Sequence, residues 1–123
     1  MTDKEIRHFF SNVMNRLGYY DWTLRLREGH DSYCWSQHKR IDIGRDYYGD
    51  IRQIVLHEIA HIGTDRFCNS AHTADFWKRL EYLLWKFVGQ PLDEMQTTHK
   101  NWTSHFDGYY RVVYDRQNEK EHK

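Results

Sequence analysis

His57, Glu58 and His61 are the residues of this chain whose types and spacing could do chemistry together. They stand in the stretch His57-Glu58-Ile59-Ala60-His61, an H-E-x-x-H pattern inside a run with helical periodicity. On a helix, residues four apart lie one turn apart on the same face. Two imidazoles so placed can aim ring nitrogens at one metal ion. Glu58 leaves the helix beside them, where a carboxylate can take a proton from a water held at the metal. The chemistry this implies is hydrolysis at one Zn2+ per chain. Chance alone could pair two histidines in a chain that has 9 of them, but the flanking residues argue otherwise. Asp50 is an N-cap candidate, with Gln53 at capping-box spacing. Ile51, Ile54, Val55, Ile59 and Ile62 recur at helical spacing and would bury one side. Gly63 is placed to end the helix.

A hydrolytic zinc needs a third protein ligand and an open position for water. His72 is the first choice. It follows a polar loop, Thr64 to Ala71, and immediately precedes a second helical pattern, so the chain can turn back and offer its side chain to the metal. Asp65 is a rival if the first helix runs on past Gly63, because it would then share the face of His61. Asp75 and Glu81 on the following helix are weaker rivals, since a downstream helical carboxylate is the third ligand in another large class of zinc peptidases. Cys68, close in sequence to the site, ranks last among the candidate ligands. The pattern H-E-x-x-H-x-x-G-x-x-H does not fit, because Gly63 comes one residue early and Phe67 holds the place of the third histidine.

The elements that must position these residues read in order as helix, small sheet, metal helix, loop, helix and irregular tail. Thr2 and Glu5 form a capping-box pair; Ile6, Phe9, Phe10, Val13, Met14 and Leu17 follow at helical spacing, and Gly18 closes the helix. Trp22, Leu24 and Leu26 alternate with Thr23, Arg25 and Arg27, a half-buried strand. Tyr33 to Ser36 and Arg40 to Ile43 predict two short strands about a polar turn at Gln37 to Lys39. A further helix is expected over Thr73 to Val88, with Phe76, Trp77, Leu80, Leu83, Leu84 and Phe87 on one apolar face and Gly89 and Pro91 as its stop. Beyond Leu92 the pattern weakens. Tyr109 to Tyr114 reads as a strand, and residues 115–123 as a polar tail. The expected fold class is therefore α+β, a small antiparallel sheet packed beside the H-E-x-x-H helix and two further helices. Arg40 to Ile43 is the expected edge strand, to which an extended peptide could add by backbone hydrogen bonds.

Composition narrows the remaining classes. A length of 123 residues suits one domain, expected over residues 1–114 with the tail after it. Lys plus Arg and Asp plus Glu both number 18, so no bulk charge drives binding to nucleic acid or anionic membrane. No apolar run approaches membrane-spanning length, and the polar N-terminus does not read as a secretory signal. The two cysteines, Cys34 and Cys68, are too few for a disulfide framework, and a reduced, cytoplasmic, monomeric protein is the expectation. Aromatic residues make up 16% of the chain, which points to a compact core of Trp, Tyr and Phe. His8, His30, His38 and His122 have no partner at ligand spacing and read as surface residues.

The segment Ile54-Val55-Leu56-His57-Glu58-Ile59-Ala60-His61, with Ala71-His72-Thr73-Ala74-Asp75-Phe76-Trp77 after it, resembles the SprT-like zinc metallopeptidases. Those proteins are similar in having a helix with H-E-x-x-H, a loop, and a histidine shortly before the Phe or Trp that opens the next helix. Arg40-Ile41-Asp42-Ile43 also looks like the strand that leads into their active-site helix. The resemblance spans roughly Trp22 to Phe87. It implies a minimal zincin-like fold, with His57, His61 and His72 as metal ligands and Glu58 as general base. Some members cleave proteins crosslinked to DNA. Many carry a cysteine-rich zinc ribbon after the catalytic domain, which the two cysteines here do not match.

Three functions compete on these residues. The first is a zinc-dependent peptidase acting on a protein or peptide substrate, with Glu58 moving the proton. An additional oxyanion donor would come from the downstream segment, where Tyr109, Tyr110, His99 and His105 are candidates. The second is a non-catalytic, zinc-stabilised binding module on the same scaffold, which would not need Glu58. The third is nucleic-acid recognition by Lys100, Trp102, Tyr109, Tyr110 and Arg111, a mixture of basic and aromatic side chains. Zero net charge weighs against the third.

Overall fold

A computed structural model describes residues 1–47, 49–63 and 73–89 of the chain. In order, the elements are α1 (Asp3–Leu17), β1 (Thr23–Arg27), β2 (Tyr33–Trp35), a 3-10 turn (Ser36–His38), β3 (Arg40–Gly44), α2 (Ile51–Ala60) and α3 (Ala74–Phe87). The layout is α+β. The expectations that fall on residues 64–72 and 90–123, including the tail and the strand at Tyr109 to Tyr114, lie outside the described residues.

Helix α1 begins where its capping chemistry predicts. The Thr2 hydroxyl accepts the Glu5 N–H at 3.1 Å, and the Glu5 carboxylate accepts the Thr2 N–H at 2.9 Å. That reciprocal pair satisfies two of the donors a helix start leaves open. Gly18 ends the helix at φ +83, a left-handed geometry that costs glycine nothing. Ile6, Phe10, Val13 and Met14 supply the buried face.

The sheet differs from expectation in two ways. Its order is β1-β3-β2, with β1 parallel to β3 and β2 antiparallel to β3, so it is mixed rather than antiparallel. Period-two alternation is the same in either strand direction, so β1 gave no sign of its orientation. Arg40 to Ile43, expected at the edge, lies in the central strand β3; among the described residues the edges are β1 and β2. The four last residues of β3 are all buried, the near-continuous burial of a strand flanked on both sides. Leu24, Ile41 and Cys34 share a row across the inner face, with Leu26 and Ile43 behind them. Cys34 is thus a core residue.

The outer face carries Thr23, Arg25, Arg40, Asp42, Tyr33 and Trp35 in the same registers. Asp42 belongs to that face by pairing and is nevertheless 1% exposed. Trp35 Nε1 donates to Asp42 Oδ2 at 3.0 Å, Arg40 Nε stands 3.0 Å from Oδ1, and Arg27 Nη1 lies 3.8 Å from Oδ2. A buried carboxylate survives only with such partners.

Helix α2 is the centre of the molecule. Nine of its ten residues are buried; only Arg52 is not. The one-sided burial expected of it is therefore replaced by burial all round. The helix has neighbours on every side: it packs most extensively on α3 and also meets α1, β2 and β3. At its start the Asp50 carboxylate accepts the Arg52 N–H at 3.0 Å and grips the Arg52 guanidinium, while Gln53 is buried and gives its backbone N–H to the Asp50 carbonyl. The cap is Asp50 as predicted, but its carboxylate serves Arg52 rather than Gln53.

Helix α3 runs as its apolar pattern predicts. Thr73 caps it, accepting the Phe76 N–H at 3.3 Å, and Phe76, Trp77, Leu80, Leu83 and Leu84 are buried with Phe87 partly so. Arg79 Nη2 donates to the Tyr19 hydroxyl, tying α3 to the segment after α1. Among the described residues no helix is long and apolar enough to cross a membrane.

Candidate metal centre

The last turn of α2 brings His57, Glu58 and His61 together. The helix ends at Ala60, three residues before the stop expected at Gly63, and His61 is its C-cap with right-handed backbone. The chain tightens there: His61 N–H bonds to the Glu58 carbonyl at 3.2 Å, and Ile62 N–H to the Ile59 carbonyl at 3.0 Å. Such i-to-i+3 bonds close a helix end whose carbonyls would otherwise lack donors. Gly63, at φ +81, then takes the chain out of the helical path. Because His61 stays right-handed, its side chain remains one turn below His57.

One ligand atom from each of His57, Glu58 and His61 lies within 4.8 Å of the others. The three residues are 3%, 5% and 3% exposed. His57 Nε2 stands 3.8 Å from Glu58 Oε1, and the two imidazole centroids are 5.1 Å apart with planes at 78°. Two imidazoles and a carboxylate are the nitrogen and oxygen donors that zinc accepts. The cluster also sits at the carbonyl end of α2, where the helix dipole favours a cation. The donor set therefore fits a divalent metal, held by the two imidazoles with the carboxylate beside them.

Of the other candidates, Asp75 is exposed on the first turn of α3, and Glu81 is half-buried farther along it. Neither belongs to the compact group around His57 and His61 found among the described residues. Asp65 required α2 to continue past Gly63, and it does not. His72, Asp65, Cys68, His99, Lys100, Trp102, His105, Tyr109, Tyr110, Arg111 and His122 lie outside the described residues. His8, His30 and His38 are exposed, as expected.

A contributor that sequence reasoning missed is Phe76. Its ring stacks on His61 at 4.4 Å and 27°, and meets His57 edge-on at 4.9 Å and 72°. The available signals were its place on the apolar face of α3 and in the Phe76-Trp77 pair that follows His72 in the resemblance. That face predicts burial, and it does not say against which side chains.

No protein-family model matches the chain, and no curated protein does. Among solved structures, the chain is similar to the metallopeptidase zymogen of Pyrococcus abyssi, abylysin. The TM-score is 0.54 at 19% identity, and the match covers 75% of this chain and 89% of that one. At that identity the likeness shows a shared fold, the α+β fold of a metallopeptidase.

Proposed function

We propose that this chain is a zinc-dependent metallopeptidase of the SprT-like type, with His57, His61 and His72 as metal ligands and Glu58 as general base. The observation that carries this reading is the buried convergence of His57, Glu58 and His61 at the end of α2. The likeness in fold to a metallopeptidase zymogen supports it. His72 is favoured by its neighbours. It directly precedes Thr73, whose side chain caps Phe76, and the Phe76 ring rests on both imidazoles. The chain thus re-enters the fold close to the metal centre.

Zinc, when bound, acidifies a coordinated water and polarises the substrate carbonyl. His57 and His61 would hold the ion. Glu58, adjacent to His57, accepts the proton of the attacking water and passes it to the departing amine. Surrounding burial keeps bulk water from competing for these charges. An extended substrate would add a strand at a sheet edge, which among the described residues means β1 or β2. A purely structural zinc site has no use for a buried carboxylate beside its imidazoles, so Glu58 favours catalysis over a binding module.

The direct test is Glu58→Gln, assayed for zinc content and for peptide hydrolysis. Zinc should be retained while hydrolysis falls by ~10²–10⁴-fold, the usual weight of a general acid–base group. Undiminished hydrolysis would remove Glu58 from the mechanism. Comparing His72→Ala with Glu81→Ala for zinc content separates the third-ligand candidates: loss in the first and retention in the second is expected.

A further inference from the structure

We infer that Phe76 is a positioning residue for the metal centre, setting the orientation of both imidazole ligands. This rests on the metal-site reading proposed above. A histidine on a helix has well-defined χ1 wells, but its χ2 is broad, so helical spacing alone does not decide where the ring nitrogens point. Neighbours must decide it, as the residues behind metal ligands commonly do. Here the three rings of His57, His61 and Phe76 interlock. Phe76 lies flat on His61 and edge-on to His57, and the two imidazoles stand nearly perpendicular to each other.

Phe76 itself cannot swing. It is fully buried, and Trp77 packs edge-on against it at 5.1 Å. Its backbone is fixed at the first turn of α3, where Thr73 accepts its N–H and the Thr73 carbonyl accepts that of Trp77. Farther along, Arg79 anchors the same helix to Tyr19. The angle of α3 is thereby transmitted to the two ligands through one ring. An aliphatic side chain of similar size would fill the space without offering a flat face, so the role requires an aromatic residue.

The experiment compares wild type, Phe76→Leu and Phe76→Tyr. Zinc affinity is measured by competition with a chromogenic chelator, the visible spectrum is recorded with Co2+ in place of zinc, and thermal unfolding of the metal-free proteins reports the fold. Phe76→Leu should unfold cooperatively yet bind zinc ~10–100-fold more weakly, the usual effect of losing a residue that orients a ligand. Its Co2+ bands should shift, and Phe76→Tyr should restore both. Zinc affinity of Phe76→Leu within about twofold of wild type, well below that range, overturns the inference and leaves the metal site standing. A wild type that takes up no zinc overturns the metal reading and the inference with it. Wild-type protein supplies a second test that needs no variant: in the metal-free state, the ring protons of His61 should resonate upfield, in the shielding region over the Phe76 face. Unshifted His61 signals overturn the inference even if Phe76→Leu fails to fold.

Discussion

Asp42 and Glu58 are both carboxylates with almost no exposure, and they are held in different ways. Asp42 is neutralised by Arg27 and Arg40 and bonded by the Trp35 indole. Removing it strands those partners, so Asp42→Ala should cost about 1–3 kcal/mol, measured by chemical denaturation at neutral pH. Glu58 stands beside two imidazoles at the site proposed to carry out hydrolysis. In metal-free protein Glu58→Gln should cost less stability than Asp42→Ala, because the amide keeps the shape of the side chain and can still hydrogen-bond. A loss of stability as large as that of Asp42→Ala would mark Glu58 as structural. The histidine pair and its glutamate were legible in sequence because their spacing equals the helix repeat. Asp42's burial was not, since two of its partners, Arg27 and Trp35, come from the flanking strands. Nor was the Phe76 stack, which depends on how α3 crosses α2.

Helix α1 and helix α3 were readable almost to the residue, because caps and glycine stops are local chemistry: Thr2 with Glu5, Thr73, Gly18. The sheet was readable as strands but not as a sheet. Which strand is central and which pair runs parallel are long-range facts, fixed by packing against α2. Gly44 at the end of β3 illustrates the same limit. A Cβ there would lie 2.6 Å from the Gly29 carbonyl oxygen and 2.7 Å from the His30 carbonyl carbon, both backbone atoms that cannot step aside. Gly44→Ala should destabilise by ~1–3 kcal/mol, as overpacking does, and a thermal melt will register it. At the start of α2, the Arg52 guanidinium hydrogen-bonded to Asp50 holds that carboxyl below its ordinary range. A depressed folded pKa contributes stability above the ordinary carboxylate range, and that contribution disappears as pH falls through the folded value. Asn remains a good N-cap. Asp50→Asn should thus be less stable than wild type near neutrality by ~0.2–1 kcal/mol, the range of a partly exposed ion pair. The difference should vanish in acid.

At the scale of the whole molecule, a helix that is buried all round carries two histidines and a glutamate into the interior. The two imidazoles pack against Phe76 in the first turn of α3, so a metal bound there would couple to folding through the α2–α3 contact. A metal that binds the folded chain alone stabilises it by mass action, ~2.7 kcal/mol at a free concentration of 100 Kd. Saturating zinc should raise the midpoint of thermal unfolding, and a chelator should reverse the rise. Core truncation offers a metal-independent reference: Leu56→Ala, fully buried on α2, should cost ~2–5 kcal/mol with or without zinc. The most direct measurement is the metal content of protein purified without added metal, read by mass spectrometry on wild type and on the double variant His57→Ala/His61→Ala. One zinc per chain in wild type and none in the variant is the result expected. A wild type that holds no zinc even after zinc is offered would contradict the metallopeptidase assignment.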